Sequence, residues 1–173
     1  MNNDALIAAL GMDAVAAVHG YRLAVADEAA ERGIYLVSEP LSGVVAVCPG
    51  VCVIVDPIDI RLAFGHAGGR RGLAGRTLIW GPEHGWAISH RTAGGPLCFH
   101  AGPGASPLDL IPTPPQVLDW AVGELDGNGV PPAGVDLDED PEAIQRLLGF
   151  RDLCGGFSTV EAFLPASPRA GWS

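Results

Sequence analysis

Apolar residues recur every three to four positions over residues 4–32, then every second position from 34 to about 101, and return to helical spacing at 112–125. The first stretch, "DALIAALGMDAVAAVHGYRLAVADEAAER", predicts a long helix, with Leu6, Leu10, Val15, Val18, Leu23 and Val25 forming its apolar faces. Asp4 and Asp13 are candidate N-caps, and Gly33 is placed to stop the helix. Gly11 and Gly20 weaken its interior and leave open a division into two shorter helices.

The period-two region predicts strands. "IYLVS" (34–38) is short, and "GVVAVCPGVCVIVDP" (43–57) is valine-rich with Pro49-Gly50 as a turn. Three more follow at 76–80, 85–91 and 96–101, the last pair joined through Gly94-Gly95. The links after residue 76 are too short for a crossover helix, so these strands are expected to be antiparallel neighbours. "PTPPQVLDWAVGEL" (112–125) predicts a second helix, with Thr113 as N-cap and Pro114 at its first position. Its apolar face is Val117, Leu118, Ala121, Val122 and Leu125, with Trp120 beside it. A Gly/Pro/Asp linker over 126–140, a short helix "PEAIQRLLGF" capped by Asp140 and a loose "PASPRAGWS" end complete the chain. The expected fold is α+β: an antiparallel sheet of five to six strands with the long N-terminal helix and the Pro-led helix packed on one face. Residues 1–126 are expected to form the domain, and 127–173 an acidic linker, short helix and tail.

Within this pattern, "LIWGPEHGWAIS" (78–89) specifies a hairpin. Proline suits the second position of a type I turn because its φ is preset, and a glycine at the loop end takes φ > 0 without steric cost. "G-P-E-H-G" supplies that order, with Trp80 and Trp86 on the flanking strands. Glu83 and His84 then project from the tip, which is first a conformational choice and second a contact or acid/base position.

Composition narrows the function. The net charge is −10, and all ten basic residues are arginine. Such a balance repels nucleic acid, whose binding depends on neutralising phosphates, so only a local basic patch would serve. No apolar run reaches the roughly 18 residues needed to span a bilayer, and "MNNDALIAALG" has no basic residue before its apolar stretch, so a cytoplasmic protein is expected. Cys48, Cys52, Cys98 and Cys154 include no C-x-x-C and read as free thiols.

"RLAFGHAGGRRGLAGR" (61–76) reads as a linking loop carrying Arg61, Arg70, Arg71 and Arg76 among five glycines, a pattern suited to an anion. It is neither a P-loop nor a dinucleotide fingerprint, lacking G-K-[ST] and a following helix. An acidic run, Asp136, Asp138, Glu139, Asp140 and Glu142, reads as a solvated linker. A sharper idea is a latch lying on the arginine loop, tested by truncation after residue 128. His90, Cys98 and His100 converge as metal ligands only if His90 stands opposite Cys98. Pleat alternation with Trp86, Ile88, Leu97 and Phe99 inward puts Cys98 and His100 on the other, exposed face, so no metal and no cofactor is expected. No serine lies in a G-x-S-x-G context.

A tryptophan on a strand followed by "E-H-G-W", with Tyr21 in the first helix, "IWGPEHGW" (79–86) and "PTPPQVLDWAVGEL" (112–125), resembles the actinobacterial domain-of-unknown-function family 6292 over roughly residues 15–126. The resemblance implies a small cytosolic α+β protein with this element order and carries no activity with it. The valine-rich segment, the Gly/Arg loop and the residues past the last matching helix depart from it.

Three functions are expected, in order. The first is a non-catalytic binding or regulatory module that holds a protein or small anionic ligand through Arg61, Arg70, Arg71, Arg76, Trp80 and Trp86. The second is a small enzyme using Glu83, His84 or His100 as acid/base on an anionic substrate. The third is a nucleic-acid contact through Arg70 and Arg71.

Overall fold

The computed structural model describes residues 6, 11–38, 44–48, 51–54, 59–65, 72–91, 97–102, 111–123 and 141–154. Helix α1 spans Met12–Glu31. Gly11, at φ +56, interrupts the helical run before it, whereas Gly20 lies inside α1 without breaking it. The reason for Gly20 is a close approach: a Cβ there would stand 1.9 Å from the carbonyl oxygen of Phe150. Asp13 makes no cap hydrogen bond and instead meets Arg151 at 3.3 Å. At the other end, Gly33 takes φ +69, and the helix closes as a Schellman motif. The Ile34 N–H donates to Ala29 O at 2.8 Å, and the Gly33 N–H to Ala30 O at 3.0 Å. Ile34 is buried, as the motif's apolar contact requires.

Strands β1 (Leu36–Ser38), β4 (Ile60–Phe64), β5 (Arg76–Gly81), β6 (Gly85–Arg91) and β7 (Leu97–Ala101) pair antiparallel in the order β1-β4-β5-β6-β7. The valine-rich β2 (Val44–Cys48) and β3 (Val51–Ile54) pair with each other as a separate two-stranded sheet rather than joining the main one. Their Pro49-Gly50 turn lies outside the described residues.

β4 corrects the reading of 61–76 as a loop. Ile60, Leu62 and Phe64 alternate inward, and Arg61 points out, which is strand periodicity. The register Ile60↔Trp80↔Trp86 and Leu62↔Leu78↔Ile88 builds one continuous apolar face across β4, β5 and β6.

α1 lies on that face through Tyr21, Val18 and Val25. Helices α2 (Pro114–Ala121) and α3 (Pro141–Leu148) pack against α1. α2 starts as expected: Thr113 caps it in extended conformation, and its N–H donates to Gln116 Oε1 at 2.9 Å. It ends sooner than residue 125, at carbonyls that Arg76 collects. Arg32 ties α1 to α2, reaching Glu28 and Asp119 at 2.6 Å each, and these bonds hold its guanidinium above its ordinary pKa.

α3 is not peripheral to this core. Ala143 and Leu147 are fully buried in the same cluster as Tyr21 and Trp86. Phe150 follows, 4.7 Å centroid to centroid from Tyr21, and a 3-10 turn, Arg151–Cys154, continues along α1. The expected acidic linker (126–140) and loose end fall outside the described residues, apart from Glu142 in α3. Among the described residues no helix is long and apolar enough to cross a membrane.

Candidate functional site

The hairpin at residues 76–91 positions the site. The His84 N–H bonds Gly81 O at 3.3 Å, closing a turn with Pro82 and Glu83 at its centre, and Gly85 adopts φ +66. Gly81 pairs with Gly85, so the loop has three residues and a left-handed glycine after a type I turn, in place of the four-residue loop expected. The base of the hairpin is anchored in the core. Trp80 and Trp86 face each other across the strands at 0% exposure. Tyr21 meets both rings edge-on, at 6.0 and 5.7 Å. Its hydroxyl accepts from Trp86 Nε1 at 2.9 Å and donates to the Pro112 carbonyl. The tryptophans proposed as ligand contacts are therefore core anchors with no face open to a ligand.

At the tip the two acid/base candidates separate. Glu83 is exposed, while His84 is half-buried and its ring is fixed. Nδ1 lies 2.8 Å from Gly85 O. A carbonyl only accepts, so Nδ1 carries the proton and the neutral ring keeps its lone pair on Nε2. That nitrogen does not face Glu83 as a partner; its neighbour is Asp59, the residue before β4. A Cβ on Gly81 would stand 2.9 Å from His84 Nε2 and 3.0 Å from Asp59 Oδ1. Both atoms thus border one notch over a bare Cα, within about 6 Å of each other, a range over which charge is felt. Burial raises the Asp59 carboxyl above its ordinary pKa; His84 and Arg61 pull it down, and Glu83 adds to the rise.

Four groups therefore gather at the outer end of β4 and the hairpin tip: Asp59, Arg61, Glu83 and His84. Asp59 and Arg61, two apart in extended chain, share a face. The arrangement offers a fixed imidazole lone pair, a half-buried carboxylate and an exposed guanidinium. It suits hydrogen-bonded recognition of a small group, or proton exchange with one.

The remaining candidates divide differently. Arg76 turns inward, and its Nη1 donates to Ala121 O and Gly123 O, both at 3.0 Å. It completes the C-terminal end of α2, and burial lowers its pKa. Arg70 and Arg71 lie outside the described residues. His100 pairs with Ile88 in the register, and His90 with Cys98. This reverses the face expected for those positions, since paired residues share a face and Ile88 is in the core. Among the described residues no three His, Cys, Asp or Glu side chains gather as a metal site. Nor is the sheet's opposite face open around β6, where Ala87 and Ser89 are buried.

Two features escaped the sequence reading. Asp59 did so because no spacing links it to His84; only the β4–β5 register does. The other is a buried pair on α1, His19 and Arg22. Arg22 Nη2 donates to His19 Nδ1 at 2.7 Å, which keeps the ring neutral. Burial, then the Arg22 charge, lowers the His19 pKa to about 4.

No protein-family model, curated protein or solved structure matches this chain.

Proposed function

We propose that this protein is a non-catalytic cytosolic binding or regulatory module. Its recognition site is the polar patch of Asp59, Arg61, Glu83 and His84, which holds a protein segment or small ligand. The observation that carries this reading is the His84 ring, held through Nδ1 on Gly85 O with Nε2 turned to the Asp59 notch. Fixing one ring nitrogen so that the other is presented is how a recognition histidine is oriented. The enclosing fold is rigid because both flanking tryptophans are buried, and ordering costs at the site are small. Arg61 is the exposed cation left for the anionic part of a ligand. Kinship with the Glu-His-Gly-Trp family named above belongs to the same proposal.

The test is native mass spectrometry of protein purified from its own host, as wild type and as His84→Ala. A bound mass retained by the wild type and lost from the variant is expected. Equal retention by both, or none by either, overturns the assignment.

A second reading has a specific observation behind it. Asp59, with its raised pKa beside a histidine lone pair, is placed for proton transfer, which would make the protein a small enzyme with Asp59 in the role expected of Glu83. Conversion of the retained mass into a product mass on incubation would select it. A nucleic-acid role has no support from the described residues, and the charge of −10 opposes it.

A further inference from the structure

The notch over Gly81 is bordered by two hydrogen-bond acceptors. His84 Nε2 holds a lone pair because Nδ1 is committed to Gly85 O. Asp59 takes no hydrogen bond from any described residue; only charges at a distance act on it. A half-buried carboxylate without a donor is an expensive arrangement unless something supplies one. The charges around the notch are Asp59 and Glu83 against Arg61, with neutral His84, which leaves one negative charge in excess. The chain as a whole carries −10, so its field also gathers cations. Absence of a side chain at 81 is what keeps the notch open. Gly81 is ordinary strand, without positive φ, so its backbone does not demand glycine. Its opening is explained by what a Cβ would meet there.

Resting on the reading of this tip as a recognition site, we infer that the notch between Asp59 Oδ1 and His84 Nε2 seats a primary ammonium group of the ligand, taken over the bare Cα of Gly81. An ammonium carries three donors, so it can satisfy both acceptors and still face solvent or the rest of its ligand. Arg61, on the same face, then meets an anionic group of the same molecule. A metal cation would need a third ligand, and the described residues supply no such cluster.

The experiment follows the His84 ring by long-range 1H–15N NMR at constant ionic strength and neutral pH. The probes are methylammonium, tetramethylammonium and acetate, and the proteins are wild type, Gly81→Ala and Asp59→Asn. Methylammonium should shift the Nε2 resonance saturably, while tetramethylammonium, of equal charge but without N–H groups, should not. Both variants should weaken the methylammonium effect roughly tenfold or more, the usual worth of one charge-assisted hydrogen bond. Gly81→Ala is the cleaner variant, because its new methyl meets only the ends of two side chains and leaves the strand intact. Equal shifts from both ammonium ions, no shift from either, or an unchanged response in Gly81→Ala overturns the inference. A shift from acetate alone overturns it as well and assigns the site to anions. The mass-spectrometric test stands apart: loss of the retained mass in His84→Ala alongside silence toward methylammonium rejects the ammonium seat and keeps the recognition site.

Discussion

Gly20→Ala sets helix propensity against packing. By propensity alone the change should stabilise α1, since glycine in a helix interior costs about 1 kcal/mol relative to alanine. The structure demands the opposite. The new Cβ would stand 1.9 Å from Phe150 O, about 1.4 Å short of an ordinary carbon–oxygen contact of ~3.3 Å. The obstacle is a backbone carbonyl, which no rotamer change removes. The segment after α3 must therefore lift off α1, taking the Phe150 ring from Tyr21. Losing a buried phenylalanine costs about 3–5 kcal/mol, so after the propensity gain the net loss is about 2–4 kcal/mol. With a urea slope of about 2 kcal/mol per M, the midpoint should fall by about 1–2 M with an unchanged slope. Ala30→Gly, at an exposed position of the same helix, calibrates the propensity term and should lower stability by about 1 kcal/mol or less. A midpoint for Gly20→Ala at or above that of the wild type would refute the close approach of Phe150 and the place of α3 in the core.

Three further outcomes are expected. Tyr21→Phe keeps the ring contacts but strands Trp86 Nε1 and the Pro112 carbonyl; with about 1–3 kcal/mol for each buried orphan, a loss of about 2–4 kcal/mol should appear in chemical denaturation, and a change below ~0.5 kcal/mol would mean the hydroxyl bridges nothing. For His19, lowering of the folded pKa to about 4 means the unfolded chain binds the proton first, so stability is full above about pH 6.5 and is lost as pH falls toward 4, by roughly 3 kcal/mol at most. His19→Gln should flatten the stability profile across that window, and an unchanged slope would exclude His19 as its source. Asp59 has the opposite sign: its raised pKa makes the protonated form favour folding below pH 3.8, and this contribution is lost as pH rises through the raised value. Asp59→Asn should therefore stabilise the protein at neutral pH, with the advantage shrinking toward pH 3.8, and a less stable variant would show that the carboxylate is held by a donor.

The hairpin was legible because each of its requirements is local. Proline presets one φ, Gly85 supplies another, and the flanking tryptophans mark the core side. Thr113 with Pro114, and Gly33 after α1, were readable for the same reason. β4 was overlooked, although Ile60, Leu62 and Phe64 alternate cleanly, because the glycines and arginines that follow suggested a loop running back to Arg61. The faces of β7 were assigned from hydrophobicity, and the pairing with β6 runs one residue out of step with that choice. Arg76 looked like an anion ligand because nothing local reveals that the end of α2, some 45 positions on, holds the carbonyls it satisfies. Asp59 and His84 meet through a strand register, which single residues do not announce. The acidic latch faces a physical obstacle of a different kind: truncation after residue 128 would also delete Ala143 and Leu147 from the core. Any gain in affinity from that truncation would be mixed with unfolding.

Phe150 against Gly20 also bears on the order in which the molecule is made. Helix α1 leaves the ribosome early, with Tyr21 and Val18 uncovered, and the segment that shields them is translated about 130 residues later. At typical elongation speeds of about 5–20 residues per second, that exposed interval lasts on the order of ten seconds. During this time the nascent chain carries a sticky aromatic flank, and a holding chaperone or slow synthesis through residues 124–140 would decide how much of it reaches the native state.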